Sequence, residues 1–152
     1  HGLNFPKTFG AKNYDLGKAQ VLKTEWQQKN VTLVTTGSLV GMAMSTADKL
    51  KLNSIGCEII NLPCLSDIDV NTVKKSLEGS KGNLITLEDH QKIGGFSQML
   101  CHKLLEAGVS FRLKTHAVNG HFGQSAYLAE ELYKKHHLDA DSVVQSAKEL
   151  VF

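Results

Sequence analysis

The run Asn83-Leu-Ile-Thr-Leu-Glu-Asp-His90, followed by Gln91-Lys-Ile-Gly94-Gly95 and then Phe96, limits the fold of this chain more than any other segment. It begins as a short apolar, β-rich run, as a strand buried on both faces requires. It stops at two carboxylates and an imidazole, and a glycine pair opens a segment that places Phe96, Leu100, Leu104 and Ala107 on one helical face. A buried strand feeding an amphipathic helix is half of a βαβ unit, which commits the chain to parallel strands covered by helices. In such sheets the carboxyl ends of strands face the crevice where ligands or partner domains sit. Glu88, Asp89, His90, Gly94 and Gly95 are therefore candidate interface or ligand-crevice residues.

The same alternation runs through the chain. Residues 1–15, with Pro6 and Gly10, have no period and read as a linker-like segment, so the domain is expected over 16–152. Ala19, Val21 and Thr24 suggest a short strand, and Gln27 to Asn30 a turn. A strand over Val31–Thr36 ends at Gly37-Ser38, and a helix from about Leu39 to Leu52 carries Ala43, Ala47 and Leu50 on one side. After Gly56 comes a strand over Cys57–Leu62, stopped by Pro63, and Asp69 caps a helix from Val70 to Leu77. Phe111–Val118 alternates as a strand with one wetter face, and helices over Gln124–His136 and Asp141–Leu150 close the chain. About five strands result, with helices on both faces and no internal repeat.

Composition removes several functions. The 152 residues are 41% hydrophobic and 21% charged, values of an ordinary globular domain. Net charge is +2 and the basic residues form only isolated pairs such as Lys74-Lys75, so nothing recommends nucleic acid or an anionic membrane as partner. Apolar runs fall far short of a membrane span, and the first residues lack a signal-peptide core. Cys57, Cys64 and Cys101 form no Cys-x-x-Cys pair and read as buried small hydrophobes in a reducing, cytoplasmic setting. The chain starts at His1 without an initiator methionine, so an excised piece of a longer protein is expected.

Few residue patterns carry chemistry. Gly37-Ser38-Leu-Val-Gly41, at a strand-to-helix turn, is neither a Walker loop nor a dinucleotide fingerprint, and reads as a capped tight turn. Strand alternation puts Glu88 and His90 on one side, where they could relay a proton. The competing reading makes Glu88 or Asp89 the cap of the helix opening near Gly94, with His90 at a domain seam. His116, His121 and the pair His136-His137 have no zinc-ligand spacing. Ser125 follows His121-Phe-Gly-Gln, yet no Gly-x-Ser-x-Gly elbow is present for a hydrolase.

Taken in order, Leu16–Leu22, Val31–Ser38, Ile60-Asn-Leu-Pro63 through Asp69, Gly82–His90 with Gly94-Gly95, Phe122-Gly-Gln-Ser125 and Leu138-Asp-Ala-Asp-Ser-Val143 resemble the C-terminal domain of transketolases. That domain is related to those of 2-oxo-acid dehydrogenase beta subunits and deoxyxylulose-phosphate synthase. Asp67 stands where the family usually has proline, a change confined to a loop. The resemblance implies a three-layer α/β/α sandwich with a mixed five-stranded sheet, its first strand antiparallel to the rest. It implies a parent enzyme moving two-carbon ketol units between sugar phosphates, with thiamine diphosphate and a divalent metal (Mg or Ca) held by upstream pyrimidine- and diphosphate-binding domains. Those domains would be this chain's partners, in a parent homodimer. The chain itself is then expected to hold no catalytic, cofactor or metal residue and to be inactive alone. Gly37, Ser38 and the Glu88–His90 and Gly94-Gly95 positions remain interface or ligand-crevice candidates. Alternatives are a docking domain of a dehydrogenase beta-type subunit and a small-molecule-binding regulatory module.

Overall fold

Two strands with no polar face set the centre of the sheet. In the computed structural model, which describes residues 15, 17–120 and 129–152, these are β2 (Lys29–Thr35) and β4 (Asn83–Gln91). Leu33 and Ile85 face one layer while Val34 and Leu84 face the other, so successive residues of one strand feed two separate cores. Around them lie β1 (Gln20–Glu25), β3 (Ile55–Asn61) and β5 (Arg112–Val118), in the order β1-β3-β2-β4-β5. Every pairing is parallel except β1 with β3.

Helices cover both faces. Leu39, Ala43, Ala47 and Leu50, from a short 3-10 turn (Gly37–Leu39) and α1 (Val40–Leu52), pack with Val143, Ala147 and Leu150 of α5 (Ala140–Val151) on one face. Val73 and Leu77 of α2 (Val70–Gly79) join Phe96, Leu100 and Leu104 of α3 (Phe96–Glu106) on the other. The chain is thus a three-layer α/β/α sandwich. A further helix, α4 (Ala129–Lys135), precedes α5, and the expected helix start near Gln124 lies outside the described residues. No helix among the described residues is long and apolar enough to cross a membrane.

Caps follow the local chemistry. Asp69 accepts from the Thr72 backbone N–H at 3.2 Å, as its position before α2 implies. At α5 the cap is Asp139, which takes the N–H groups of Asp141 and Ser142 at 3.1 Å each. The helix therefore opens one residue before Asp141, the first helical position read from the sequence. α4 ends with His137 at φ +57°, its N–H donating to the Lys134 carbonyl while Leu138 N–H reaches Tyr133 at 2.7 Å.

One topological step differs from its sequence signature. Only residues 26–28 separate β1 from β2, a length that suits a hairpin. The two strands do not pair; β3 lies between them, and the short connection crosses over its start. Gly56 is what permits the crossing. The sequence reads it as punctuation before a strand, but it sits inside β3, where a Cβ would meet Gln27 N and Glu25 O at 2.5 Å and overlap Asn30 Oδ1. The Asn30 side chain clamps the crossing, accepting from Gln27 N at 2.7 Å and donating to Gln27 O at 2.8 Å.

Of the histidines considered for metal, His116 is buried in β5. Its Nδ1 lies 2.6 Å from the His137 carbonyl, so that nitrogen carries the proton, and Nε2 accepts from Ser146 Oγ at 3.0 Å. This pins the α4–α5 junction to the sheet. Burial pushes the His116 pKa down, His137 and Lys114 add to that, and the His137 carbonyl and Asp139 oppose it. Because the folded value lies below the ordinary value of about 6.5, His116 contributes stability that is complete above that pH and is lost as pH falls through the folded value. Urea midpoints measured from pH 7.5 to 5 should fall less steeply in His116→Gln than in the native chain; parallel curves would contradict this role. Among the described residues no three His, Cys, Asp or Glu side chains group to hold a metal.

The cysteines divide. Cys57 is buried and burial pushes its thiol up to about 11, and burial also raises Cys101. Cys64 and Cys101 depart from the buried reading, both being half-buried, and hydrogen bonding to Ser66 and the Asp67 backbone lowers the Cys64 pKa.

Candidate functional site

The candidate residues meet at the carboxyl end of β4, beside the end of its neighbour β2. Pairing with β5 is regular from Asn83 to Leu87, lapses, and resumes at Gln91 opposite Val118. Glu88, Asp89 and His90 occupy the lapse. Alternation is kept: Glu88 turns to α3 on one face and Asp89 to Ser38 and Tyr133 on the other, and with His90 they line one cavity of about 410 Å³ at the carboxyl end of the sheet. Glu88 is buried while Asp89 and His90 are exposed, and His90 lies near enough to act on the Glu88 charge.

Glu88 is a structural carboxylate. Its Oε2 accepts from Phe96 N at 2.8 Å and its Oε1 from Ser97 N at 3.3 Å, which caps the start of α3 from a different strand. Gly95 stands at the helix N-cap with no side chain of its own to serve, and a Cβ there would come within 2.6 Å of the Glu88 carboxyl carbon. The glycine is there to admit the carboxylate. Burial pushes the Glu88 pKa up, and the two N–H groups and nearby His90 only partly restrain it. With both oxygens engaged, Glu88 is poorly placed to act as a mobile base.

Asp89 joins three elements. It accepts from Ser38 Oγ at 3.3 Å and from Tyr133 OH at 3.2 Å, linking β4 to the turn before α1 and to α4. Burial and the Asp89 charge raise the Tyr133 pKa, holding the phenol protonated as a donor. Gly37 takes φ +61° to turn the chain from β2 into the 3-10 turn, and Gly94 takes φ +78° before the helix. Gly94 N–H donates to Gln98 Oε1 at 2.8 Å. His90 Nδ1 lies 3.0 Å from the Gln91 carbonyl.

All seven sequence candidates thus line the same cavity. Sequence reasoning missed its other walls: Thr36, Leu65, Phe96 and Met99. Leu65 follows Pro63-Cys64 in a loop with no periodic signal, and Met99 reads only as a helix position off the core face. Met99 is 39% exposed, and Ile93, one residue before Gly94, is 82% exposed. Apolar side chains left in water beside a concave wall favour a partner surface over a reaction centre. Ser38 is engaged with Asp89.

Comparison with known proteins bears on the family and the fold. Residues 17–143 match the family model described as transketolase, C-terminal domain. The chain belongs to that family.

A putative transketolase C-terminal section from Methanocaldococcus jannaschii is 30% identical to this transketolase C-terminal domain over 136 residues, covering 90% of this chain and 40% of the relative. Transketolase from Mus musculus is 28% identical over 142 residues, covering 92% and 22% respectively. The domain therefore spans well under half the length of these relatives. A solved structure described as a split gene transketolase, inactive beta4 tetramer, superposes with a TM-score of 0.81 at 24% identity, covering 95% of this chain and 45% of that one. That likeness shows a shared fold.

Proposed function

We propose that this chain completes a transketolase-like enzyme by packing its strand-end crevice against the upstream pyrimidine-binding domain. The parent enzyme moves a two-carbon ketol unit between sugar phosphates with thiamine diphosphate and a divalent metal, works as a homodimer and resides in the cytoplasm. The observation that carries the reading is a crevice with Leu65 and Met99 in its wall and carboxylates already occupied, next in the chain to the exposed Ile93.

The crevice does not suit the cofactor. Among the described residues no Lys or Arg lines it, so a diphosphate would meet the carboxylates of Glu88 and Asp89 without a compensating cation from them. In this reading the upstream domains hold thiamine diphosphate, and this chain's residues orient and cover them. Glu88 fixes the start of α3, Asp89 ties α4 to the crevice wall, and Ile93 supplies an apolar contact.

The test mixes the chain with separately expressed upstream domains, thiamine diphosphate and Mg²⁺, and follows ketol transfer. Activity should appear only in the mixture. Ile93→Asp should lower the recovered rate at limiting chain while leaving its melting temperature within the error of the native chain. Turnover by the clean chain alone, or recovery indifferent to Ile93→Asp, would remove the seam assignment.

A further inference from the structure

The opposite end of the sheet carries a second, chemically different cavity. Three parallel strands begin there, and their first residues are Lys29 in β2, Asn83 in β4 and Arg112 in β5. With Lys81 and Gln28 these residues line a cavity of about 350 Å³, and among the described residues no carboxylate side chain is in its walls. We infer that this cavity is a binding site for the phosphoryl group of a small phosphate monoester.

The cations there are unspent. Lys23, Lys49, Lys51 and Lys114 each pair with a carboxylate, but none of the ion pairs among the described residues involves Lys29, Lys81 or Arg112. Arg112 is also aimed. Asn83 is 5% exposed, and its Oδ1 accepts from an Arg112 guanidinium nitrogen at 2.6 Å while its Nδ2 donates to the Asn30 carbonyl at 3.0 Å. A neutral acceptor thus fixes the guanidinium without cancelling its charge, leaving the remaining N–H groups for a planar, two-point grip on an anion. Lys29 Nζ lies over the Phe152 ring, 3.0 Å from its centroid, which holds a second cation at the wall.

A simpler account gives these cations to helix carbonyls, since α2 and α5 end nearby. The last carbonyls of α2 are already served: Ser80, Lys81 and Gly82 N–H groups donate to Ser76, Glu78 and Leu77 at 2.8–3.3 Å. Asn83 also has no reason from helix capping to orient Arg112. The volume lies within the range of small-ligand sites, and its polar, cationic wall contrasts with the apolar rim at the other end of the sheet.

The probes are inorganic phosphate and glycerol phosphate, titrated into the 152-residue chain at constant ionic strength, with chloride as the control and backbone amide shifts as the readout. Saturable shifts should appear at Lys29, Lys81, Asn83 and Arg112, with glycerol phosphate binding at least as tightly as inorganic phosphate. Arg112→Gln should weaken binding about 10-fold, the loss of one charge-assisted contact. Lys49→Gln, which removes a lysine paired elsewhere with Asp141, should leave it unchanged. Affinity should also decline as pH falls below about 6, where the monoester loses its second charge. Non-saturable shifts, equal response to chloride, or equal weakening by Lys49→Gln would overturn the site. None of these outcomes depends on the upstream domains, so failure here leaves the seam assignment standing.

Discussion

Gly56→Ala should destabilise the chain by about 3 kcal/mol, one of the two largest single-residue effects expected here. The cost comes from the chain crossing over β3. A methyl group at position 56 meets backbone atoms of Gln27 and Glu25 at 2.5 Å, and these cannot rotate aside as a side chain can. The β1–β2 connection must lift, which strains the two hydrogen bonds by which Asn30 closes it. For a domain of this size that energy lowers the melting temperature by about 6–12 °C. Gly41→Ala is the control, since nothing lies within 4 Å of a Cβ there. Thermal unfolding of both variants is decisive. In Asn30→Ala/Gly56→Ala the overlap with Asn30 is gone but the backbone contacts remain, so no rescue is expected; full recovery would mean that the crossing is not what excludes a side chain.

This crossing also marks where the sequence stops being readable. Val31–Thr35 and Leu84–Leu87 are β-rich runs with apolar neighbours at Leu33-Val34 and Leu84-Ile85, and that pattern favours burial on both faces wherever the strand lies in the sheet. The layer architecture therefore follows from local pattern. Strand order is a different matter. A three-residue connection favours a hairpin, and only the contact between Gly56 and a distant turn reveals that β3 intervenes. A glycine needed for close approach and one needed for a turn look the same in a sequence.

The site shows the same division. The cluster from Glu88 to Gly95 is contiguous, so its position at a strand end was legible from its spacing alone. Gly37 and Ser38 were legible as a turn, and their meeting with Asp89 depends on β2 and β4 being neighbours. Tyr133 gave no signal, because a tyrosine on a helix is ordinary and its bond to Asp89 spans 44 residues. Alternation placed Asp89 on the face opposite Glu88, and its bonds to Ser38 and Tyr133 lie there while Glu88 meets α3.

Glu88→Ala should cost about 2–3 kcal/mol, because it leaves the Phe96 and Ser97 N–H groups without their acceptor at a buried helix start. Gly95→Ala should cost at least as much by a different route, driving the buried carboxylate off its donors without giving it water. The two substitutions share one cause, so they should not add. Once Glu88 is alanine, the space that a Cβ at 95 needs is free, and the double variant should be no less stable than Glu88→Ala by more than about 0.5 kcal/mol. Urea unfolding of the four proteins measures this coupling directly, and additive losses would show that Gly95 is required for its backbone and not for the carboxylate. The pH dependence gives an independent sign. Burial raises the Glu88 pKa, so its stabilising contribution is complete below the unfolded value and diminishes as pH rises through the folded one. Glu88→Ala should therefore lose more stability relative to the native chain at pH 4 than at pH 7, the opposite trend to the one His116 produces.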